Sequence, residues 1–176
     1  FYAFFEKGLV YKGLRPVYWC INDRTALAEA EVEYANHTSP SVYVKYALKS
    51  DPALIAPELA AYAGKVSTII WTTTPWTLPA SLAVAFHPRA EYQAILDNVT
   101  GQVYIVAAER ASAVLPKLGI GGAADNADAT TVLASFLGAQ LERTTFAHPF
   151  LDRDILGVLA DYVTMDQGTG AVHTAP

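Results

Sequence analysis

Apolar and polar residues alternate with a period of two along much of this chain, the pattern of strands that bury one face. Residues 42–48 show it clearly, directly after the break at Ser39-Pro40. Residues 26–34 alternate in the same way and predict another strand, although Ala and Glu favour helices. The apolar run from Val66 to Trp71 predicts a buried strand that ends at the threonines behind it.

The second half of the chain continues the strand pattern. Residues 92–96 and 103–107 flank a turn that contains Asp, Asn and Gly, which predicts an antiparallel hairpin. Two further strand-like runs lie within residues 155–174. Residues 130–142 fit either a helix or a strand, and we favour a strand.

Fewer stretches predict helices or loops. Pro57 and Gly64 bracket a short helix, because proline suits a first helical turn and glycine a C-terminal cap. Residues 109–117 have helical spacing, 119–128 read as a loop, and the first 20 or so residues read as a helix end followed by a connector. Many short strands with few helices predict a mainly β fold with peripheral helices (α+β), built as an antiparallel barrel or sandwich.

Composition and net charge limit the classes of function that the chain can have. With 176 residues, of which 52% are hydrophobic and 16% charged, the chain can bury one sizeable core. A net charge of -5 gives no reason to expect general affinity for nucleic acids. The single cysteine, Cys20, excludes an intrachain disulfide and an all-cysteine metal site. No signal peptide or transmembrane run is present in the sequence, and the chain reads as a segment of a longer protein.

The most distinctive polar feature is the run Thr72, Thr73 and Thr74, followed by Pro75. A hydroxyl taken out of water needs a hydrogen-bond partner, and Pro75 should end the strand so that the threonines lie at a rim. A ligand could meet them there. The alternative is an ordinary threonine-rich strand end whose hydroxyls are satisfied within the protein, and the triplet alone does not decide between the two.

His173 is the second candidate, because it follows glycines that permit close backbone approach. It could contact a ligand or exclude a larger one by its bulk, but a lone histidine is more often a packed core side chain. Other chemistry is not indicated: the sequence lacks a nucleophile motif, metal-ligand spacing and a phosphate loop, so we expect no metal and no cofactor. Four aspartates near turns are better explained as caps than as a general base; they are Asp152, Asp154, Asp161 and Asp166.

Several segments together resemble the editing insertion of isoleucyl-tRNA synthetases. The resemblance covers nearly the whole chain in the expected order, and its most specific part is Thr-Thr-Thr-Pro-Trp-Thr-Leu-Pro. The segments that carry it are Trp19-Cys20, 25–34, 71–79, His148-Pro149-Phe150 and 168–176. It implies a compact, barrel-like editing domain of class I aminoacyl-tRNA synthetases, with residues 1–25 as the linker from an absent catalytic domain and 26–176 as the editing domain, truncated at its C-terminal end.

The resemblance also implies an activity: hydrolysis of valine wrongly esterified to tRNA(Ile), with valyl-adenylate as a second substrate. It places Thr72, Thr73, Thr74 and His173 at the catalytic site, with His173 beside the amino-acid side chain. The expected substrate-binding positions are Trp76, Thr77, Ser81 and Gly170. The implied partners are the aminoacylated 3′ end of tRNA(Ile), its valine and the rest of the parent synthetase, in the cytoplasm.

Three departures from the family pattern affect these expectations. Ser81 stands where the family usually has asparagine, and Asp23 where many relatives have a second cysteine. The aspartate that holds the substrate ammonium group in the family falls beyond Pro176, so we expect weak or absent deacylation by this fragment alone. Two alternatives remain open: a non-catalytic nucleic-acid-binding β-barrel whose aromatic side chains stack on bases, and a structural insertion that spaces other domains.

Overall fold

The computed structural model describes residues 1–121 and 129–175. These residues divide into two compact units, the first of residues 1–38 and the second beginning at Ser39. The first unit ends 13 residues after residue 25, the predicted end of the linker. Whether residues 1–25 act as a linker stays a prediction.

The first unit contains only short elements. Helix α1 (Tyr2–Glu6) is followed by β1 (Tyr18–Cys20) and β2 (Thr25–Leu27), which pair antiparallel. The predicted strand over 26–34 is wrong beyond Leu27, because Glu29–Glu31 forms a 3-10 helix. The Glu31 carboxylate accepts the Ala28 backbone N–H at 2.7 Å and so stabilises this 3-10 helix. No residue of the first unit is buried, so the alternation of apolar and polar residues does not bury one face of a sheet here.

The second unit holds a five-stranded sheet. Its strands are β3 (Val42–Ala47), β4 (Val66–Thr72), β6 (Glu91–Asp97), β7 (Val103–Ala107) and β8 (Thr130–Leu137). They lie in the order β3-β4-β7-β6-β8. The predicted strands over 42–48, 66–72 and 130–142 are confirmed, although the last one stops at Leu137 and continues as the 3-10 helix Gly138–Leu141. The predicted hairpin is confirmed as β6 and β7.

The strands of a second, four-stranded sheet are β5 (Ala83–Phe86), β9 (Thr145–Ala147), β10 (Asp154–Leu159) and β11 (Ala171–Thr174). They lie in the order β11-β5-β10-β9. The two strand-like runs predicted within 155–174 are confirmed as β10 and β11. Pairing is mainly antiparallel, with parallel pairs at β4/β7 and β5/β10.

The core lies between these two sheets. Phe86 of β5 packs edge-to-face on Tyr92 of β6, with ring centroids 5.6 Å apart, and against Phe146 of β9 at 5.9 Å. An isolated bridge between Leu48 and Phe146 joins the sheets at one corner. The mainly β class is confirmed, but among the described residues the sheets do not close into a barrel.

Helices are few and peripheral. Helix α2 (Ala108–Val114) and the 3-10 helix Pro116–Leu118 take the place of the predicted helix 109–117, and the predicted helix after Pro57 is the 3-10 helix Pro57–Tyr62. Most of the predicted loop 119–128 lies outside the described residues. Of the helices in the described parts of the chain, none is long and apolar enough to cross a membrane.

Candidate functional site

The site begins where β4 ends. The threonine rim, Thr72–Thr74, leaves the strand because Pro75 disfavours regular structure at Thr74 and then opens a 3-10 helix, Pro75–Ala80, here called the rim helix. Thr72 is 8% exposed, and its hydroxyl accepts the Thr74 backbone N–H at 3.1 Å and lies 3.1 Å from the Thr74 hydroxyl. Thr72 therefore shapes the turn that presents Thr73 and Thr74, whose side chains are exposed.

A second contact fixes the rim from outside. The Ser39 hydroxyl donates to the Thr73 backbone carbonyl at 2.8 Å. Ser39 precedes β3 and is 34 positions from Thr73 in sequence. The Thr73 carbonyl is thus held by Ser39, and Thr73 itself is exposed.

The rim helix carries Thr77 back toward the threonine rim. Its backbone N–H and its hydroxyl both donate to the Thr74 carbonyl, at 3.1 and 2.7 Å. Trp76, on the same helix, is 69% exposed, a high value for a tryptophan.

The glycine loop before β11 brings the second sequence-distant segment to the rim. Gly170 has φ +79°, and a Cβ at this position would overlap the side chain of Ala107, so only glycine fits here. Its carbonyl accepts the Tyr92 hydroxyl at 2.5 Å. Burial raises the pKa of Tyr92 to about 12, so the phenol keeps the proton that it donates. Gly168 has φ +71° and lies beside Trp71 of β4.

His173 meets the rim helix through a single hydrogen bond. Its Nε2 lies 3.3 Å from the Thr77 hydroxyl. Because that hydroxyl already gives its proton to the Thr74 carbonyl, it accepts from His173, and the hydrogen-bond network assigns the hydrogen to Nε2. The chain of donors therefore runs from His173 through Thr77 to the backbone of Thr74.

The environment of the other ring nitrogen, Nδ1, favours the neutral imidazole. Nδ1 is buried and has no hydrogen-bond partner among the described residues. A proton there would be a buried donor without an acceptor. Burial first, and then the charge of His148, lower the pKa of His173 below its ordinary value. At neutral pH, His173 is therefore an uncharged side chain that donates one hydrogen bond.

Ser81 lies behind the rim, in the interior. It is fully buried, and the Tyr46 hydroxyl donates to its Oγ at 3.3 Å. A substrate contact through this hydroxyl stays a prediction, and it would require the side chain to become exposed. Gly170 is also buried, so its part in the site is to let the loop pass close to Ala107.

The structure links four of the eight expected site residues through hydrogen bonds. Thr72, Thr74, Thr77 and His173 are linked by hydrogen bonds, although His173 is 96 positions from Thr77. Their catalytic and binding roles stay predictions. Sequence reasoning missed Ser39, because no motif marks a serine whose partner is a backbone carbonyl.

Sequence reasoning also missed the support beneath the rim helix. His148 belongs to the segment His148-Pro149-Phe150 of the family resemblance, whereas none of its segments includes Arg153. Both donate to carbonyl groups at the end of this helix. Nothing in the sequence near Arg153 indicates that its partners lie 72 and 74 positions earlier.

Two concave surfaces lie elsewhere in the second unit. A cleft of about 430 Å³ is lined by polar groups that include Arg89, Glu109 and Asp161, and a groove of about 160 Å³ lies beside Tyr43 and Tyr104. Neither contains a residue of the threonine rim. Within the described ranges, no group of three His, Cys, Asp or Glu side chains could hold a metal ion.

Comparison with known proteins decides the family. The model of the class I tRNA synthetases (I, L, M and V) matches residues 1–165. The chain belongs to this family. Isoleucine–tRNA ligases of Desulforamulus reducens and Geobacter sulfurreducens are 47% and 49% identical to it over 97% and 98% of its length. The chain spans 17% of the length of these synthetases.

Solved structures agree with the fold of this synthetase domain. The editing domain of the P. knowlesi cytosolic leucyl-tRNA synthetase matches with a TM-score of 0.60 at 11% identity, over 76% of this chain and 55% of that one. A P. falciparum counterpart with two insertions deleted also gives 0.60, over 77% and 61%. At such low identity the likeness shows the fold: that of class I synthetase editing domains, as the sequence predicted.

Proposed function

We propose that this domain proofreads for an isoleucine–tRNA ligase by hydrolysing valine wrongly esterified to tRNA(Ile). The similarity to isoleucine–tRNA ligases over nearly the whole chain supports the parent enzyme, and the likeness to editing domains supports the reaction class. The observation that carries the proposal is the hydrogen bond between Thr77 and His173, which joins the rim helix to β11.

The need for such a site follows from a small difference in free energy. Isoleucine exceeds valine by one methylene, worth about 1–3 kcal/mol in an apolar pocket, a limit for which isoleucyl-tRNA synthetase is the standard example. A second site that admits valine and excludes isoleucine raises the selectivity. In our proposal the His173 ring borders the amino-acid side chain and supplies the steric limit.

Water is the nucleophile in the mechanism that we propose. The exposed hydroxyls of Thr73 and Thr74 orient the aminoacyl-adenosine and stabilise the developing oxyanion as fixed dipoles. His173 is neutral and donates to Thr77, so it positions the site and does not act as the acid. The site residues form no covalent intermediate with the amino acid in this scheme.

Further parts of the proposal concern substrates and partners. The same site would accept valyl-adenylate, and Trp76 would form a wall against the terminal adenosine. The partners are the aminoacylated 3′ end of tRNA(Ile) and the rest of the parent synthetase, which we place in the cytoplasm. A net charge of -5 gives the chain little electrostatic attraction for phosphates, so we propose weak deacylation without the parent enzyme.

Deacylation of valyl-tRNA(Ile) by the full-length synthetase tests the proposal. We expect Thr73→Ala to lower kcat by about 100-fold, the effect of removing one oriented donor from an oxyanion site. Thr164→Ala, at an exposed threonine far from the rim in sequence, is the matched control and should leave kcat unchanged. His173→Ala should increase hydrolysis of isoleucyl-tRNA(Ile) relative to valyl-tRNA(Ile).

Equal rates for wild type, Thr73→Ala and Thr164→Ala would contradict a catalytic role for the rim. Sequence-tolerant binding of single strands is the alternative function. A filter-binding titration with unrelated oligonucleotides distinguishes it from editing, because editing requires an aminoacylated end. No contact in the described residues favours that alternative.

A further inference from the structure

The rim helix ends against one turn of the chain. Residues 148–153 connect β9 to β10, and two side chains of this turn donate to the last carbonyls of the helix. His148 Nε2 lies 2.9 Å from the Leu78 carbonyl. Arg153 Nη2 lies 2.5 Å from the Pro79 carbonyl and 2.7 Å from that of Ser81. We call His148 and Arg153 together the turn clamp.

The clamp residues are themselves fixed. His148 is 4% exposed, and its Nδ1 accepts the Leu151 backbone N–H at 3.1 Å, so Nε2 carries the hydrogen that Leu78 receives. The Phe150 ring packs edge-to-face on the imidazole with centroids 4.7 Å apart. The His148 backbone N–H donates to the Arg153 carbonyl at 3.0 Å, which closes the turn and holds both side chains at one spacing.

The rim helix needs this support. A 3-10 helix of six residues has poor hydrogen-bond geometry. At its C-terminal end the Leu78 carbonyl accepts the Ser81 backbone N–H at 3.0 Å, and the carbonyls that follow need donors from outside the helix. Leu78 and Ser81 are buried, so the side chains of His148 and Arg153 supply donors where water has little access. A guanidinium and an imidazole N–H also suit the negative end of the helix.

The clamp acts next to the site. Leu78, held by His148, directly follows Thr77, whose hydroxyl links the Thr74 carbonyl to His173. If the end of the helix moves, Thr77 moves with it, and both of these hydrogen bonds lengthen. A displacement of about 1 Å in a catalytic arrangement can cost about 100-fold in rate.

We propose that His148 and Arg153 are positioning residues of this site, which hold Thr77 in register with Thr74 and His173 by binding the C-terminal carbonyls of the rim helix. The inference rests on the proposed function for its effect on catalysis, but the clamp itself is testable without any activity. Arg153 touches no site side chain by hydrogen bond, so its effect passes through the helix.

Hydrogen–deuterium exchange of the full-length synthetase tests the structural part. The Thr77 and Ser81 amides donate to the Thr74 and Leu78 carbonyls and report on the rim helix. In Arg153→Met we expect peptides spanning 74–82 to exchange about tenfold faster, as a local opening rather than global unfolding. Arg89→Met is the matched control, because Arg89 makes an exposed ion pair with Asp161.

Deacylation kinetics test the functional part. We expect Arg153→Met to lower kcat for valyl-tRNA(Ile) about 10- to 100-fold with KM changed less than about twofold, since positioning is lost and the binding surface is kept. Arg153→Lys should recover part of the rate, because an ammonium still donates to at least one carbonyl. His148→Phe keeps a packed ring without a donor and should resemble Arg153→Met.

A double-mutant cycle separates positioning from loss of stability. Thr77→Val removes the hydroxyl that the clamp positions, so Arg153→Met should have little further effect on kcat in that background. If the two substitutions lowered kcat by independent, multiplying factors, the inference would be overturned. Equal hydrogen–deuterium exchange rates of peptides 74–82 in Arg153→Met and Arg89→Met would also overturn it. An inactive wild type with the expected exchange difference would overturn the proposed function and leave the clamp standing.

Discussion

Each threonine of the rim has a different part at the scale of single residues. Thr72 uses its hydroxyl to close the turn, whereas Thr73 is held by its carbonyl and keeps its side chain at the surface. Thr72 therefore fits the interpretation of an ordinary strand end whose hydroxyl is satisfied within the protein. Ligand binding at the exposed Thr73 and Thr74 stays a prediction.

His173 shows how burial selects a protonation state. Its Nε2 hydrogen is committed to Thr77, and its Nδ1 lies buried without an acceptor among the described residues. Protonation would place a charge and an unpaired donor in the interior. The depressed pKa follows from this geometry and from His148 nearby.

Acid should therefore destabilise the fold through His173. A histidine whose folded-state pKa lies below its unfolded value of 6.5 contributes stability that is present above pH 6.5 and lost as the pH falls through the folded value. We expect wild type to lose more stability than His173→Gln between pH 7.5 and 5. Thermal unfolding of both proteins across that range measures the difference, and identical slopes would contradict it.

Local hydrogen bonding decides which elements form. The hairpin of β6 and β7 turns at Asp97, whose carboxylate accepts the Val99 N–H at 3.0 Å and the Thr100 hydroxyl at 2.6 Å. Burial by itself would raise the pKa of Asp97, but donors from Thr100, Val99 and Gly121 outweigh it and hold the pKa below its usual value. The turn is thus stabilised by the negative charge of Asp97, which accepts hydrogen bonds from the backbone and from Thr100.

Replacing this carboxylate should weaken the hairpin. We expect Asp97→Ala to cost about 1.5–3 kcal/mol at neutral pH, the range for hydrogen bonds to a charged group. The native contribution is present above the unfolded pKa of 3.8 and is lost as the pH falls below it, so the two proteins should converge in acid. Urea unfolding at pH 7 and pH 3 tests this, with the exposed Asp152→Ala as control. A constant difference between pH 7 and pH 3 would contradict the assignment.

At the scale of the molecule, the second unit is two sheets on one core. Phe86 and Phe146 come from the four-stranded sheet, and Tyr92 comes from the five-stranded one. All three side chains are fully buried. The Tyr92 hydroxyl also binds the glycine loop that leads to His173, so the core and the site share a residue.

Truncation of the central aromatic ring should therefore destabilise the whole unit. We expect Phe86→Ala to lower the free energy of unfolding by about 3–5 kcal/mol, because it leaves a cavity between two sheets. Leu156→Ala, at a half-exposed position on β10, should cost less than about 1 kcal/mol. Guanidinium unfolding compares the two variants, and equal losses would show that the sheets do not depend on this contact.

The sequence by itself determined the strands that have a clear alternation of apolar and polar residues or a continuous apolar run. The strands over 42–48 and 66–72 and the hairpin at Asp97 formed where they were predicted, since period, proline breaks and turn residues act over a few positions. The strand over 26–34 failed because alternation has meaning only when a sheet face is buried, and no residue there is buried.

Only the tertiary structure decided how the site is assembled. Sequence marked Thr72–Thr74 and His173, but the bond from His173 to Thr77 spans 96 positions, and Arg153 binds carbonyl groups more than 70 positions away. Every residue has the same backbone carbonyl group, so the pattern of side chains along the sequence does not indicate which carbonyl a distant side chain will bind. The fold supplies that information, by bringing the end of one helix to one turn between two strands.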